Sequence, residues 1–354
     1  MSLHADLLER LEAIARVQLV ARLKDDRLNF PQPGELHVFI PDLHLITEAR
    51  RVEGGYQYGT NHLPLLETVV NSLRALKLAS APAEVVVYQI GDLFDLWRQV
   101  DGLDANANAA SAIQNDHASL TAALRDPDVN AQFLLGNHDY DLYRFPNFDA
   151  WQRSYVLPPS VMLLHGDIFD WVEKLPDELQ NLVLYQFTAS HPAGTAELAK
   201  LRPLNNRQQA GRKFRKFIQN QAAAPTGRWR DTSLLTSDDT SLDTSLDTGG
   251  GPSWNVQVAG TAPPEMLLYL DAARQKCDQA NRQFGSRLTM AVIGHTHQAR
   301  IAVHDAGGEF FALMDCGAWI ENCRTLDDPT PRLNAQIAAL GANEARIYQL
   351  APLG

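Results

Sequence analysis

The sequence predicts an α/β fold on three observations: five apolar runs of strand length, turn-forming or polar residues closing each of them, and amphipathic stretches lying between them. The runs are Glu35–Ile40, Val85–Ile90, Gln132–Leu135, Val161–Leu164 and Leu288–Ile293, rich in β-branched, aromatic and aliphatic residues that suit a pleated, buried surface. Strands of this kind, buried on both faces, are expected to leave their following loops along one edge of a sheet, where open α/β folds place their sites.

The remaining elements follow in chain order. Residues 3–23 carry Leu7, Leu8, Leu11, Ile14, Ala15 and Val17 or Leu19 at helical spacing, which predicts an amphipathic leading helix packed on the core. Its polar face is mixed in charge rather than basic, which argues against a membrane-surface helix. Asn61–Leu78 reads as a helix with Asn61 as N-cap and Leu65, Val69, Leu73 and Leu76 on one stripe. Another, rich in Ala, is expected over 103–124. From Arg300 strands return: Asp305-Ala306-Gly307-Gly308 turns a hairpin into Phe310–Met314, and Arg346–Leu350 makes a last strand.

Each of the five runs is followed within a few residues by metal-ligating side chains. The loops are Asp42-Leu43-His44, Gly91-Asp92-Leu93-Phe94-Asp95, Gly136-Asn137-His138-Asp139, His165-Gly166-Asp167 and Gly294-His295-Thr296-His297. The ligand set is Asp, His and one Asn, without Cys. Borderline divalent ions such as Mn²⁺, Fe²⁺ and Zn²⁺ accept imidazole and carboxylate together, whereas Ca²⁺ and Mg²⁺ sites are mainly oxygen and structural zinc sites lean on thiolate. Two such ions roughly 3.5–4 Å apart clamp the oxygens of an in-line displacement at phosphorus. Phosphoester hydrolysis is the chemistry to expect from that arrangement.

Other polar residues have plainer readings. Five of the eleven histidines fall in these loops; His4, His37, His62, His117, His191 and His304 read as core or surface residues. Asp95 is expected to brace the loop of Asp92 rather than to ligate. Trp97 and Arg98 line a pocket or simply pack, and the same holds for the loop acids Asp167 and Asp170. Cys316 has no basic neighbour in sequence to activate it as a nucleophile.

In these five segments the chain resembles the calcineurin-like metallophosphoesterases. The resemblance implies a β-sandwich of two mixed sheets flanked by helices. Carried over residue by residue, it implies that Asp42, His44 and His297 bind one divalent ion and that Asn137, His165 and His295 bind the other, with Asp92 bridging. His138 would stand beside the scissile phosphate, oriented by Asp139. Two divalent ions are implied, manganese first, with iron or zinc as alternatives. Within that superfamily, Gly91–Trp97, His165–Asp170 and Asp315-Cys316-Gly317-Ala318-Trp319 are similar to the UDP-2,3-diacylglucosamine diphosphatases, which cut the pyrophosphate of a nucleotide-linked lipid precursor. The chain departs from their shorter branch in having His138 where that branch has Arg, and in a longer segment between His165 and His295. The expected substrate is accordingly a nucleotide-lipid or another phosphorylated small molecule. A phosphodiesterase or monophosphatase of a nucleotide or metabolite is the alternative, and a non-catalytic scaffold a remote one. A protein-phosphatase reading is disfavoured, because Leu96-Trp97 follows Asp95 where that branch shows Arg-Gly.

A span of motifs from Asp42 to His297 cannot be divided, so 1–354 is expected to be a single catalytic domain with an inserted lid over 172–284. Inside the insertion, Lys200, Arg202, Arg207, Arg212, Lys213, Arg215, Lys216, Arg228 and Arg230 occur with no acidic residue among them. They form either a solvated helix face or a lid in which Arg212, Lys213, Arg215 and Lys216 neutralise substrate phosphate. Residues 231–251 are Ser/Thr/Asp-rich and end in three glycines, the composition of a disordered loop.

Bulk composition narrows the class further. Hydrophobic residues make up 45% of the chain, ample for a core. A net charge of −11 argues against stable nucleic-acid binding. Cys277, Cys316 and Cys323 form no CxxC pair, which fits a reducing compartment. With no leader-like start and no apolar run of membrane-spanning length, the expectation is a cytoplasmic protein; transient peripheral contact with the inner membrane surface stays open.

Overall fold

In this computed structural model the described residues are 2–28, 34–49, 63–81, 84–96, 107–139, 142, 145–167, 256–258, 264–306, 308–323, 331–341 and 343–353. All five expected strands form. They are β2 (Glu35–Ile40), β3 (Glu84–Gln89), β4 (Gln132–Phe133), β6 (Val161–Leu164) and β8 (Met290–Ile293). They do not share one sheet. The parallel set β2, β3 and β4 belongs to a first sheet, and the parallel pair β6 and β8 to a second. A doubly apolar run announces burial, not which strand lies beside it, so the residues alone could not assign the neighbours.

Further strands complete both sheets, and antiparallel ladders beside the parallel ones make them mixed. In the first, β1 (Ala15–Lys24), β13 (Gln336–Gly341) and β14 (Glu344–Pro352) give the order β1-β14-β13-β2-β3-β4. In the second, β5 (Ser154–Leu157), β7 (Val256–Val258), β9 (Arg300–Ala306) and β10 (Glu309–Asp315) give β5-β6-β8-β10-β9-β7. The expected hairpin at Gly307-Gly308 is the antiparallel β9–β10 pair. A short third ladder joins β11 (Glu321–Cys323) to β12 (Pro331–Leu333).

The leading helix is half its expected length. Helix α1 (Leu3–Glu12) opens at Ser2, whose side chain accepts a hydrogen bond from the Ala5 amide, and it buries Leu7 and Leu11. From Ala15 the chain is β1, paired antiparallel to β14. Ala15, Val17, Leu19, Ala21 and Leu23 alternate with Arg16, Gln18, Arg22 and Lys24, interrupted only at Val20 where the ladder shifts register, and the helical reading overran this period of two.

Helix α2 (Leu63–Ala79) buries Leu66, Val69, Val70, Leu73 and Leu76, while its expected cap Asn61 lies outside the described residues. The single helix expected over 103–124 is two, α3 (Ala107–Asp116) and α4 (Ala118–Arg125), separated at His117 by backbone angles of −115° and 38°. Within the expected insertion 172–284, β7 pairs with β9, and helix α5 (Pro264–Phe284) packs Met266, Leu270, Ala273 and Cys277 against Ala291, Ile293, Ala302 and Leu313 of the second sheet. Those last residues of the insertion therefore build the body of the fold. The basic stretch, with Arg212, Lys213, Arg215 and Lys216, and residues 231–251 lie outside the described residues.

Three apolar clusters set the layers. One lies between the sheets, where Phe39, Tyr88, Ala338 and Ile347 of the first meet Leu163, Val292, Ile301 and Met314 of the second. Another joins α1, α2, α3 and α4 to the outer face of the first sheet, and the third places α5 on the outer face of the second. Two mixed sheets thus face each other between helical layers, an α/β architecture. Among the described residues no helix is long and apolar enough to cross a membrane.

Candidate metal centre

The five loops meet across the two sheets. Asp42 is fully buried two residues beyond β2; its backbone carbonyl accepts from Trp319 N at 2.8 Å and its Oδ2 from His295 N at 3.0 Å. The amides of Leu43 and His44 donate to the carbonyl of Asp92 at 3.1 and 2.8 Å, which ties the loop after β2 to the loop after β3. Gly91 turns that second loop at φ +88°, and a Cβ there would stand 2.6 Å from Nδ1 of His165. Close approach of backbone to imidazole is what this glycine permits. His44, Asp92, His295 and His297 all sit at positive φ, between 48° and 64°. Non-glycine residues held there cost about 1–3 kcal/mol each and persist where surroundings over-determine them.

Their donor atoms form two groups. Nε2 of His297 lies 3.1 Å from Nε2 of His44 and 3.1 Å from Oδ2 of Asp42. Nε2 of His165 lies 3.0 Å from Oδ1 of Asn137, 3.2 Å from Nδ1 of His295 and 3.2 Å from Oδ2 of Asp92. Oδ2 of Asp92 is also 3.6 Å from Nε2 of His44, so this one oxygen stands between the groups. Ligands about 2.0–2.2 Å from a shared divalent ion are separated by roughly 3.0–3.4 Å at octahedral to tetrahedral angles. The spacings around Nε2 of His165 and Nε2 of His297 fall in that range, while Nε2 of His44 stands 3.6 Å from Asp92 and 3.9 Å from Asp42.

Proton bookkeeping leads to the same donor set. Nδ1 of His165 lies 2.9 Å from the carbonyl of Ile90, so Nδ1 carries a proton and Nε2 presents a lone pair to the oxygens of Asn137 and Asp92. Three acceptors converging on one point require a cation or an extra proton. Burial opposes a charge on His165, yet Asp92 and Asp42 outweigh it and raise its pKa well above the ordinary imidazole value. Burial likewise opposes a charge on Asp92, yet His165, His138 and His44 hold it well below the usual carboxylate range. Oδ1 of Asp42 and Nδ1 of His44 are buried without a hydrogen-bond partner. Asp42, His44 and His297 are one group that could hold a metal ion; Asp92, His165 and His295 are another; His44, Asp95 and His138 form a third.

His138 differs from its expected setting. Its backbone amide donates to Oδ1 of Asp92 at 2.8 Å, and its Nδ1 lies 2.8 Å from Oδ1 of Asp95, not against Asp139. Asp139 is instead fully buried and accepts from the amides of Gly136 (2.7 Å), Leu93 (2.9 Å) and Phe94 (3.4 Å). Burial, with Asp92 nearby, pushes its pKa up to about 7. The carboxylate against Nδ1 of His138 is therefore Asp95 rather than Asp139, which clasps the loops after β3 and β4. The resemblance implied Asp139 for that contact, but its carboxylate is turned to the buried amides of Gly136, Leu93 and Phe94.

Thr296, read from sequence as a spacer, donates its hydroxyl to Asp315. Asp167 pairs with Arg153 at 2.7 Å, joining β5 to the loop after β6. Neither contact has a sequence signal, since Asp315 and Arg153 lie outside the five loops. Burial pushes the Cys316 thiol well above its ordinary range, which disfavours a nucleophile there. His4 bonds the carbonyls of Gly341 and Glu344, and His117 that of Ile46, as core histidines do. Trp97, Arg98 and Asp170 lie outside the described residues.

No protein-family model matches the chain, and no curated protein matches it.

Proposed function

We propose that this chain is a metal-dependent hydrolase of a phosphoester or pyrophosphate bond, of the calcineurin-like metallophosphoesterase type. The observation that carries the reading is the position of Asp92 Oδ2, 3.2 Å from Nε2 of His165 and 3.6 Å from Nε2 of His44, between two sets of converging donors. Asp42, His44 and His297 would hold one divalent ion, Asn137, His165 and His295 the other, and Asp92 would serve both. Imidazole, carboxylate and amide together suit manganese first, and iron or zinc as well. Bound divalent ions supply Lewis acidity toward phosphoryl oxygens and lower the pKa of water.

The chain's own groups do the rest. Asp95, buried and 2.8 Å from Nδ1 of His138, fixes the ring so that proton exchange with substrate falls to Nε2. From there a proton reaches the departing oxygen as negative charge builds on it. Asn137 contributes a neutral oxygen, so the donor set gains a ligand without gaining charge. Asp92 also accepts from the His138 amide, which couples the position of the proton donor to the donor cluster itself.

The substrate we propose is a nucleotide-linked diacyl sugar of the UDP-2,3-diacylglucosamine kind, met at the inner membrane surface by a cytoplasmic enzyme. Purified protein loaded with Mn²⁺ would be offered that lipid, a generic phosphodiester and a phosphomonoester. Release of UMP from the lipid is the expected result. Turnover of the diester or monoester alone would replace the substrate assignment, and no turnover of any of the three by the loaded protein would end the hydrolase reading.

A further inference from the structure

The loop that carries His295 and His297 is strained, with those residues at φ of 64° and 58°. Their imidazoles serve different donor groups: His297 faces Asp42 and His44, while His295 faces His165. Thr296 stands between them. Its amide donates to the Gly294 carbonyl at 2.8 Å, and its hydroxyl accepts from the Gln298 amide at 3.3 Å while donating to Oδ2 of Asp315.

Asp315 is fully buried at the end of β10, in register with Ile293, the last residue of β8 before the loop. Its Oδ1 accepts from the Gly317 amide at 3.3 Å, and Nε of the buried Arg300, its partner across the β9–β10 ladder, stands 4.0 Å from Oδ2. The carboxylate is thus held by the sheet and in turn holds the middle of the loop.

We propose that Thr296 and Asp315 are positioning residues that set the distance between the two donor groups, so that loosening one hydroxyl contact weakens both metal sites together. The inference rests on reading the centre as a pair of divalent sites. A spacer role for Thr296 would leave the imidazoles free to move one at a time. The clasp makes them move as a unit.

The test is Mn²⁺ titration of the full chain by calorimetry, with electron paramagnetic resonance of the loaded protein and circular dichroism to confirm folding. The parent is expected to take up two ions with an exchange-coupled signal. Thr296→Val, which keeps shape and removes the hydroxyl, is expected to bind both ions about 10–100-fold more weakly and to lose the coupled signal, and Thr296→Ser to restore both. Asp315→Asn, a weaker acceptor of the same shape, is expected to lose about tenfold at both sites and is decisive should the valine variant not fold. Parental affinity and coupling in the folded valine variant, or in Asp315→Asn, would overturn the proposal, as would loss at one site alone. A parent that binds no Mn²⁺ would instead refute the paired-site reading itself.

Discussion

Nδ1 of His138 lies 2.8 Å from Oδ1 of Asp95, a carboxylate with no exposed surface whose other oxygen lies 3.4 Å from Nδ1 of His44. One acid therefore hydrogen-bonds the proposed proton donor and stands within ion-pair distance of a proposed ligand. Replacing Asp95 by Asn removes the charge that selects the Nδ1–H tautomer of His138 while keeping its shape. Turnover with Mn²⁺ is expected to fall about 10–100-fold with KM little changed. Steady-state kinetics beside metal analysis checks this, and an unchanged kcat would return Asp95 to a purely structural part.

Asp139 makes a different prediction. Its carboxylate serves three buried amides, so Asp139→Ala strands donors that water cannot reach. Each stranded group costs about 1–3 kcal/mol, and a loss of several kcal/mol is expected in denaturant unfolding of the metal-free chain. Unaltered stability together with abolished turnover would restore the orienting role that the resemblance implies for it.

Gly136 is the most restrictive backbone position of the centre. A Cβ there would lie 2.5 Å from the Asp92 amide and closer still to its carboxylate. Gly136→Ala is expected to displace Asp92 and to abolish the rise in melting temperature that Mn²⁺ gives the parent. That rise corresponds to about 2.7 kcal/mol at a hundredfold excess over Kd. A parental Mn²⁺ response in the alanine variant would show that Asp92 is not a ligand.

Far from the centre, Glu344 accepts from Arg346 at 2.9 Å and from Arg22, joining β1 and β14. Burial opposes its charge, but the two guanidinium groups win and hold its pKa below the ordinary glutamate value of 4.5. A depressed folded pKa means that this stability is fully present above the unfolded value and disappears as pH falls through the folded one. The Arg22 side chain is 38% exposed, which discounts the pair to roughly 1 kcal/mol. Glu344→Gln is expected to melt below the parent at pH 7 and to converge with it in acid. A gap that persists at pH 2 would mean packing rather than charge.

Local chemistry was legible in the chain itself. The five runs that lead into the loops are strands, β9 and β10 pair as the expected hairpin, and the Asp and His residues following the strands do gather. Where periodicity changed within a few residues, as at Ala15, a helical window ran on into a strand. The alternation from Ala15 to Leu23 was present, but five apolar positions at i, i+2 and i+4 also satisfy part of a helical stripe.

By itself, the sequence determined which residues can ligate, which runs must be buried and where the backbone can turn, because these depend on side-chain chemistry and on a period read over a few neighbours. Tertiary structure alone decided that the strands split three and two between sheets, that Asp95 rather than Asp139 meets His138, and that Asp315 holds Thr296. Such pairings join residues 43 and 19 positions apart, and they depend on how each turn aims its side chains once the sheets have packed. Distances of a few tenths of an ångström separate a ligand from a brace, and only the packed core supplies them.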